Sequence, residues 1–226
     1  MSDLVSGRYM QQNPQWGFTG QTANAYQSDL PCVCTLAQNG NPAVGATGAA
    51  LVTKEAIFQP VFLGEGYVIN EIGIGVTSEA VETTAHAWVA VYQGVGVKEG
   101  EELKSSLVGQ SKDKTGSAFE PGAEGPTQFF ALESPIVVSQ SNAPHGYVYV
   151  AVYLSASGKI GKFLTVTTNA TKVQNYKASS GLKVYPWIAN QPLMAFKSKP
   201  TTDEGTAEAK IKEIVDVTVA PVLWIK

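Results

Sequence analysis

Arginine is almost missing from this chain. Of its 16 basic residues only Arg8 carries a guanidinium, and the lysines are scattered singly. A surface that tracks phosphates needs grouped Lys and Arg, with Arg reading base edges or stacking on bases, so no nucleic-acid partner is expected. Charge of either sign is sparse: the formal net charge is -3 and charged residues make up 15% of the chain. Histidine is scarcer still, with His86 and His145 alone, and a Ser-His-Asp arrangement would have to use one of them. Each sits at a turn or a strand entry, where an exposed or capping histidine is the ordinary reading. No G-x-S-x-G, H-E-x-x-H or phosphate-binding loop occurs, and Gly73-Ile74-Gly75 lacks the helix and βαβ context of a dinucleotide fingerprint. The acidic pairs Glu79/Glu82, Glu101-Glu102 and Asp203-Glu204 lie in polar connections, whereas a glycosidase needs two acids converging across a cleft. No Asp-rich loop offers alternating oxygen ligands to calcium. The expectation is a non-enzymatic chain with no catalytic residues, no cofactor and no metal.

Long apolar runs are also lacking. No stretch approaches the roughly 18 residues of a membrane span, and Met1 to Gln12 has no basic segment leading into an apolar core. The expectations are no membrane, no Sec leader and synthesis in a cytosol. Cysteine is limited to Cys32 and Cys34, in a C-x-C spacing that disfavours a disulfide between the two. Three readings stay open for them: small buried hydrophobes, an intermolecular crosslink between copies, or part of a metal site for which too few other ligands exist.

Glycine, proline and β-branched residues are plentiful: 22 Gly and 12 Pro in 226 residues. This profile fits short strands joined by turns better than a helical bundle. The clearest feature is a pentad that occurs twice, Trp88-Val89-Ala90-Val91-Tyr92 and Tyr149-Val150-Ala151-Val152-Tyr153. Extended backbone sends two aromatics and an alanine to one face and two valines to the other, so neither face is polar. Such a strand belongs inside a sheet covered on both sides, by a second sheet or by a neighbouring subunit. The two copies read as inner strands of two hairpins.

Along the chain, residues 1–55 read as an extended N-terminal arm, irregular in composition yet carrying Tyr9, Trp16, Phe18, Tyr26, Leu30 and Val33. Residues 56–200 read as the β-sandwich domain, and 201–226 as a linker and a C-terminal strand. Within the sandwich, strands are expected at Ile57 to Leu63, with Pro60 marking an edge or a bulge, and at Tyr67 to Thr77. In the latter, Val68, Ile72, Ile74 and Val76 share one face, while Gly73 and Gly75 on the other invite close approach by another backbone or a large aromatic. Further strands are expected at Ala85 to Tyr92, Ser106 to Ser111, Gln128 to Leu132 with Pro135 to Ser139 as a strand or bulged pair, Tyr147 to Leu154, Phe163 to Thr168, Lys183 to Ile188 and Leu193 to Phe196. That makes about eight strands at sandwich spacing. Ala207 to Lys212 is compatible with a helical turn. The last strand, Ile214 to Ile225, either returns to pair with an early strand in a Greek-key closure or augments a neighbour's sheet.

The order of these elements resembles the jelly-roll modules in virion proteins of tailed bacteriophages. The residues that carry the resemblance are Glu71-Ile72-Gly73-Ile74-Gly75-Val76-Thr77, Ala87 to Tyr92, a Gly-rich excursion, Ser134-Pro135-Ile136-Val137-Val138 and Gly146 to Tyr153. The resemblance spans about residues 57 to 168 and rests on strand and turn patterns, which a carbohydrate-binding or receptor-binding sandwich also shows. It implies an all-β, jelly-roll-like antiparallel sandwich that decorates a capsid or forms part of a tail or fibre. It also implies a virion location and, as partners, other copies of the chain and other virion proteins. The candidate interaction surface is Trp16, Trp88, Tyr92, Tyr149, Tyr153 and Trp187, and under the carbohydrate reading these rings would stack on a host-surface glycan.

Overall fold

Alternation and turn chemistry between residues 56 and 156 build a two-layer structure in which the pentads occupy the centre of one layer. The computed structural model describes residues 33–34, 49–50, 54–76, 80–81, 84–95, 105–121, 128–156, 161–163, 165–167, 196–198, 203–209, 215–217 and 219–226. The chain forms β1 (Val33–Cys34), β2 (Ala49–Ala50), β3 (Ala56–Phe62), β4 (Val68–Ile74), β5 (Thr84–Tyr92), β6 (Leu107–Gln110) and β7 (Gln128–Val137). It continues with β8 (Tyr147–Ala156), β9 (Lys162–Phe163), β10 (Thr165–Thr167), β11 (Phe196–Ser198), β12 (Val215–Asp216), β13 (Val219–Pro221) and β14 (Leu223–Ile225). No helix occurs among the described residues, and so none is long and apolar enough to cross a membrane. A four-stranded sheet, β1-β14-β4-β7, packs on a six-stranded sheet, β12-β11-β3-β8-β5-β6, and the pairs β10-β13 and β2-β9 complete the arrangement. Every pairing is antiparallel, so the fold is an all-β sandwich.

Gly64, Glu65 and Gly66 form the turn that carries the chain from β3 in one sheet to β4 in the other. The Tyr67 amide donates to the Gly64 carbonyl at 3.1 Å and Gly66 has φ +85°, the left-handed third position that a type II turn requires. In β4 the simple alternation fails. Ile69 is buried and Val68 is 41% exposed, the reverse of the expected facing. The cause is a bulge: Asn70 and Glu71 both donate to the Lys226 carbonyl, at 2.7 and 2.9 Å, and the register with β7 shifts between Ile69 and Glu71. Two residues against one partner reverse the phase, after which Ile72 and Ile74 point inward as read from sequence. On β7 the same irregularity skips residues 132–135 and divides the strand into the bulged pair expected there. Pro60 lies in β3 opposite Tyr149 of β8, beyond the Ala56, Ile57 and Phe58 that pair with β11.

The C-terminal region separates into three short strands. β14 pairs with β4 on one side and β1 on the other, so the late strand returns to an early one and brings a piece of the N-terminal segment with it. Trp224 lies opposite Gly73 and is buried, which is the large aromatic that the bare glycine admits. Between the sheets lies the main core, with Ile69, Ile72, Ile74, Phe130 and Leu223 facing Val61, Val89, Val91, Val148, Val150 and Val152. Burying each such side chain stabilises the fold by about 1.5–3 kcal/mol. Residues 203–209 are irregular; of the helical turn expected at Ala207 to Lys212, residues 210–212 lie outside the described residues. The strand expected at Lys183 to Ile188 lies outside the described residues.

Candidate functional site

The two pentads pair with each other. β5 and β8 lie side by side in antiparallel register, with Trp88 opposite Tyr153, Val89 opposite Val152, Ala90 opposite Ala151, Val91 opposite Val150 and Tyr92 opposite Tyr149. They are inner strands, as expected, but neighbours rather than members of separate hairpins. Their valines enter the main core, and their aromatics and alanines form a second core on the opposite face of the sheet with Ala56, Phe58, Tyr147, Phe196 and Ala207. Trp88 stacks on Tyr153 at 5.1 Å, and Phe58 stacks on Phe196 at 4.7 Å. Tyr149 meets Phe196 edge-on at 5.1 Å and Tyr147 in the same way at 5.4 Å. Each such contact adds about 0.5–1.5 kcal/mol beyond its buried area.

Residues 203–209 lie as a strap along this aromatic face. Trp88 Nε1 donates to the Glu204 carbonyl and Tyr92 OH to the Glu208 carbonyl, both at 2.8 Å, so the strap runs beside β5 in the same direction. From β6, Gln110 Oε1 accepts the Ala207 amide at 2.9 Å and the Thr206 hydroxyl at 3.1 Å. The buried indole and phenol needed partners for their polar tips, and the strap's backbone supplies them. Small groups allow the close passage: Ala207 is buried, and a Cβ on Gly205 would stand 3.3 Å from His86 Nδ1 and 3.4 Å from Asp113 Oδ2. The strap begins with Gly205 donating its amide to Asp203 Oδ1, an Asx-type turn.

At the Trp88 end, His86 Nδ1 donates to Asp113 Oδ2 at 2.7 Å. Asp113 also accepts Thr115 Oγ1 at 2.6 Å and the Ala87 amide at 2.8 Å. Burial alone would raise the Asp113 carboxyl, but the hydrogen bonds from Thr115, His86 and Ala87 outweigh it and hold the group below the ordinary carboxylate value. Ser155 lies opposite His86 across the β5–β8 ladder, yet no hydrogen bond joins its Oγ to the imidazole. The His86–Asp113 pair fastens the 112–116 loop to β5. Lys114 anchors that loop on its other side, donating to the Phe129 carbonyl at 2.6 Å with its ammonium 4.8 Å from the Phe130 ring centre. Among the described residues no group of three or more His, Cys, Asp or Glu converges as a metal site.

Of the candidate surface, Trp88, Tyr92, Tyr149 and Tyr153 are brought together and are buried within the single chain, at 2% exposure or less. Trp16 and Trp187 lie outside the described residues, as does Cys32, while Cys34 stands opposite Trp224 in the β1–β14 pair. Sequence reading missed the strap, Gln110 and Asp113. The signal for the strap was Asp203-Glu204-Gly205-Thr206-Ala207, whose Gly and Ala suit close passage over large rings, although Asp203 to Gly205 reads as a polar linker and Ala207 as the start of a helical turn. A scan against protein-family models and a comparison with curated proteins find no match to this sequence.

Proposed function

We propose that the chain is a non-enzymatic structural component of a tailed-phage virion, an accessory capsid-decoration or tail protein that binds neighbouring subunits through its arm and the margins of its sheets. The observation that carries this reading is the centre of the six-stranded sheet, β3, β8 and β5, buried on both faces by its own chain. A sheet covered in this way is a rigid scaffold, and its rims and connecting segments are its means of association. The polar groups that could serve chemistry, His86 and Asp113 above all, are engaged in fastening loops. The carbohydrate- or receptor-binding alternative draws less support, because stacking on a glycan needs ring faces exposed to solvent and the pentad rings are buried.

The test is particle composition. Tailed particles purified from a lysate that expresses the chain should contain it at a stoichiometric copy number, and removal of residues 1–32, which leaves β1 in place, should abolish incorporation while the sandwich stays folded. Particles that lack the chain would refute the proposal. A saturable glycan-array signal lost on Trp187→Ala would favour the alternative.

A further inference from the structure

Val68 and Val137 stand opposite each other where β4 meets β7, and both point away from the core, since their neighbours Ile69 and Ile136 pair inward. They are 41% and 55% exposed, and Val215 is the one other large hydrophobic among the described residues that is exposed. Single exposed valines are ordinary, but a cross-strand pair is a contiguous patch. Ala131 and the run Glu133-Ser134-Pro135 continue the exposed surface along β7, and Gly64, Glu65 and Gly66 flank it at the turn into β4. Glu65 and Glu133 thus bracket the valines along the chain with exposed carboxylates. Neither enters the ion pairs of the described residues, which engage Glu55, Glu71 and Asp113.

Charge is divided unevenly along the chain. Residues 55–133 hold twelve Asp or Glu against four Lys, whereas residues 134–202 hold seven Lys and no acid. Within the second stretch, residues 168–195 join β10 to β11 and carry Lys172, Lys177 and Lys183 among Tyr176, Tyr185 and Trp187. A segment that interleaves lysines with large apolar groups complements a surface that sets carboxylates around valines. The two features belong to opposite corners of the sandwich. β11, where the segment ends, lies next to the β12 margin of the six-stranded sheet; β7 belongs to the other sheet at the far margin, where Ser111, just past β6, bridges Leu132. From β11 to β6 is four strand spacings, or roughly 19 Å. The width of the sandwich thus separates the β11 anchor from the patch of its own chain, and a copy set head to tail presents the same patch without that detour.

We propose that the Val68–Val137 patch, with Glu65 and Glu133 at its sides, is a docking surface for residues 168–195 of a second copy of this chain. Lysines of the segment meet the carboxylates at the rim and its aromatic groups cover the valines, an apolar centre with a charged margin. The patch is small, so a single contact is weak, and an assembly that holds many copies side by side supplies the effective concentration that fills it. Because the segment and the patch are different surfaces, the contact is heterologous: it closes into a ring if the rotation between copies permits, and otherwise extends as a filament. The inference rests on the structural reading above and names the surfaces by which copies join.

The experiment is a charge swap on the full chain, read by light scattering over a concentration series that reaches the millimolar range. The parent should self-associate, and salt at about 1 M, where the screening length is about 3 Å, should weaken the association at least about tenfold. Glu65→Lys with Glu133→Lys, and separately Lys172→Glu with Lys177→Glu and Lys183→Glu, should each weaken it by a similar factor. An equimolar mixture of the two variants should restore it, because each reversed surface meets a reversed complement. A mixture that stays dissociated overturns the proposal, as does a parent that stays monomeric throughout. Loss with the glutamate reversals alone gives the patch to another occupant and overturns the assignment of residues 168–195. Val137→Gln, at an exposed position and without change of charge, gives a further readout should a reversed variant fail to fold: undiminished association there overturns the patch. Parent oligomers that none of these changes disturbs refute the contact and leave the structural reading standing, whereas a monomeric parent removes the oligomeric support from that reading too.

Discussion

A methyl group at Gly94 has no room. The Cβ of an alanine there would stand 1.7 Å from the Tyr147 carbonyl oxygen, 2.6 Å from its carbon and 2.9 Å from the Tyr147 ring. The obstacle is backbone of β8, paired with Phe62 of β3, so a rotamer change cannot relieve it. The 93–95 segment must withdraw by more than an ångström. That displacement breaks the bond from the Gly94 amide to the Asn142 carbonyl, 2.9 Å, and strains the one from Gln93 Nε2 to the Ser141 carbonyl, 2.7 Å. Overpacking that side chains can absorb costs about 1–3 kcal/mol, and two hydrogen bonds add about 1 kcal/mol each. Gly94→Ala should therefore destabilise the fold by about 3–5 kcal/mol, a third or more of the stability of a typical domain. Urea unfolding followed by near-ultraviolet circular dichroism measures this. Gly64→Ala is the control, since nothing lies within 4 Å of its Cβ position and its effect should stay within about 1 kcal/mol. A Gly94→Ala midpoint indistinguishable from the control would refute the close approach of the 93–95 segment to β8.

Two further predictions concern titration. Burial pushes the Tyr147 phenol up to about 12, and burial, helped by nearby carboxylates, raises Tyr92 and Tyr153 as well. Because these folded values lie above the unfolded value near 10, the stability they contribute is complete below about pH 10 and falls as pH rises toward 12 and beyond. Phenolate absorbance should accordingly appear for these three only as the protein unfolds, and their reversible ionisation near pH 10 in folded protein would contradict the second core. Asp113 works in the opposite direction. Its folded value is depressed, so its contribution is present above the unfolded value near 3.9 and is lost as pH falls through the folded one. Asp113→Asn should flatten the acid limb of stability against pH; an acid limb as steep as the parent's would show that the carboxylate fastens nothing.

Most of the sandwich was legible because its strands obey period two and end at glycine turns. Ile72, Ile74, Val89, Val91, Val150 and Val152 face inward as their alternation requires, and Gly64 to Gly66 turns where read. Val68 was misplaced because a bulge arises from pairing: Asn70 and Glu71 share the Lys226 carbonyl, a residue about 155 positions away that no local pattern reveals. The aromatic face was legible as a face and not as a site. Period two shows that Trp88, Tyr92, Tyr149 and Tyr153 align, but what covers them depends on contacts such as Trp88 with Glu204, which span more than a hundred residues. Asp113 was overlooked for the same reason, since its link to His86 joins a loop after β6 to the start of β5.

The pairing of the pentads makes them something other than a repeat. Two near-identical segments that run antiparallel around Ala90 and Ala151 are related by a local twofold axis, so each is complementary to a reversed copy of itself. An unfolded chain thus carries two segments able to pair with each other, with themselves and with either segment of another chain, all with almost the same side-chain match. The native arrangement removes that ambiguity by giving both segments a permanent neighbour on their second edge, β3 beside β8 and β6 beside β5. Correct partner choice during folding then depends on the connection between residues 92 and 147 closing within one chain faster than a second chain arrives, which makes dilution, rather than any added interaction, the guardian of the fold.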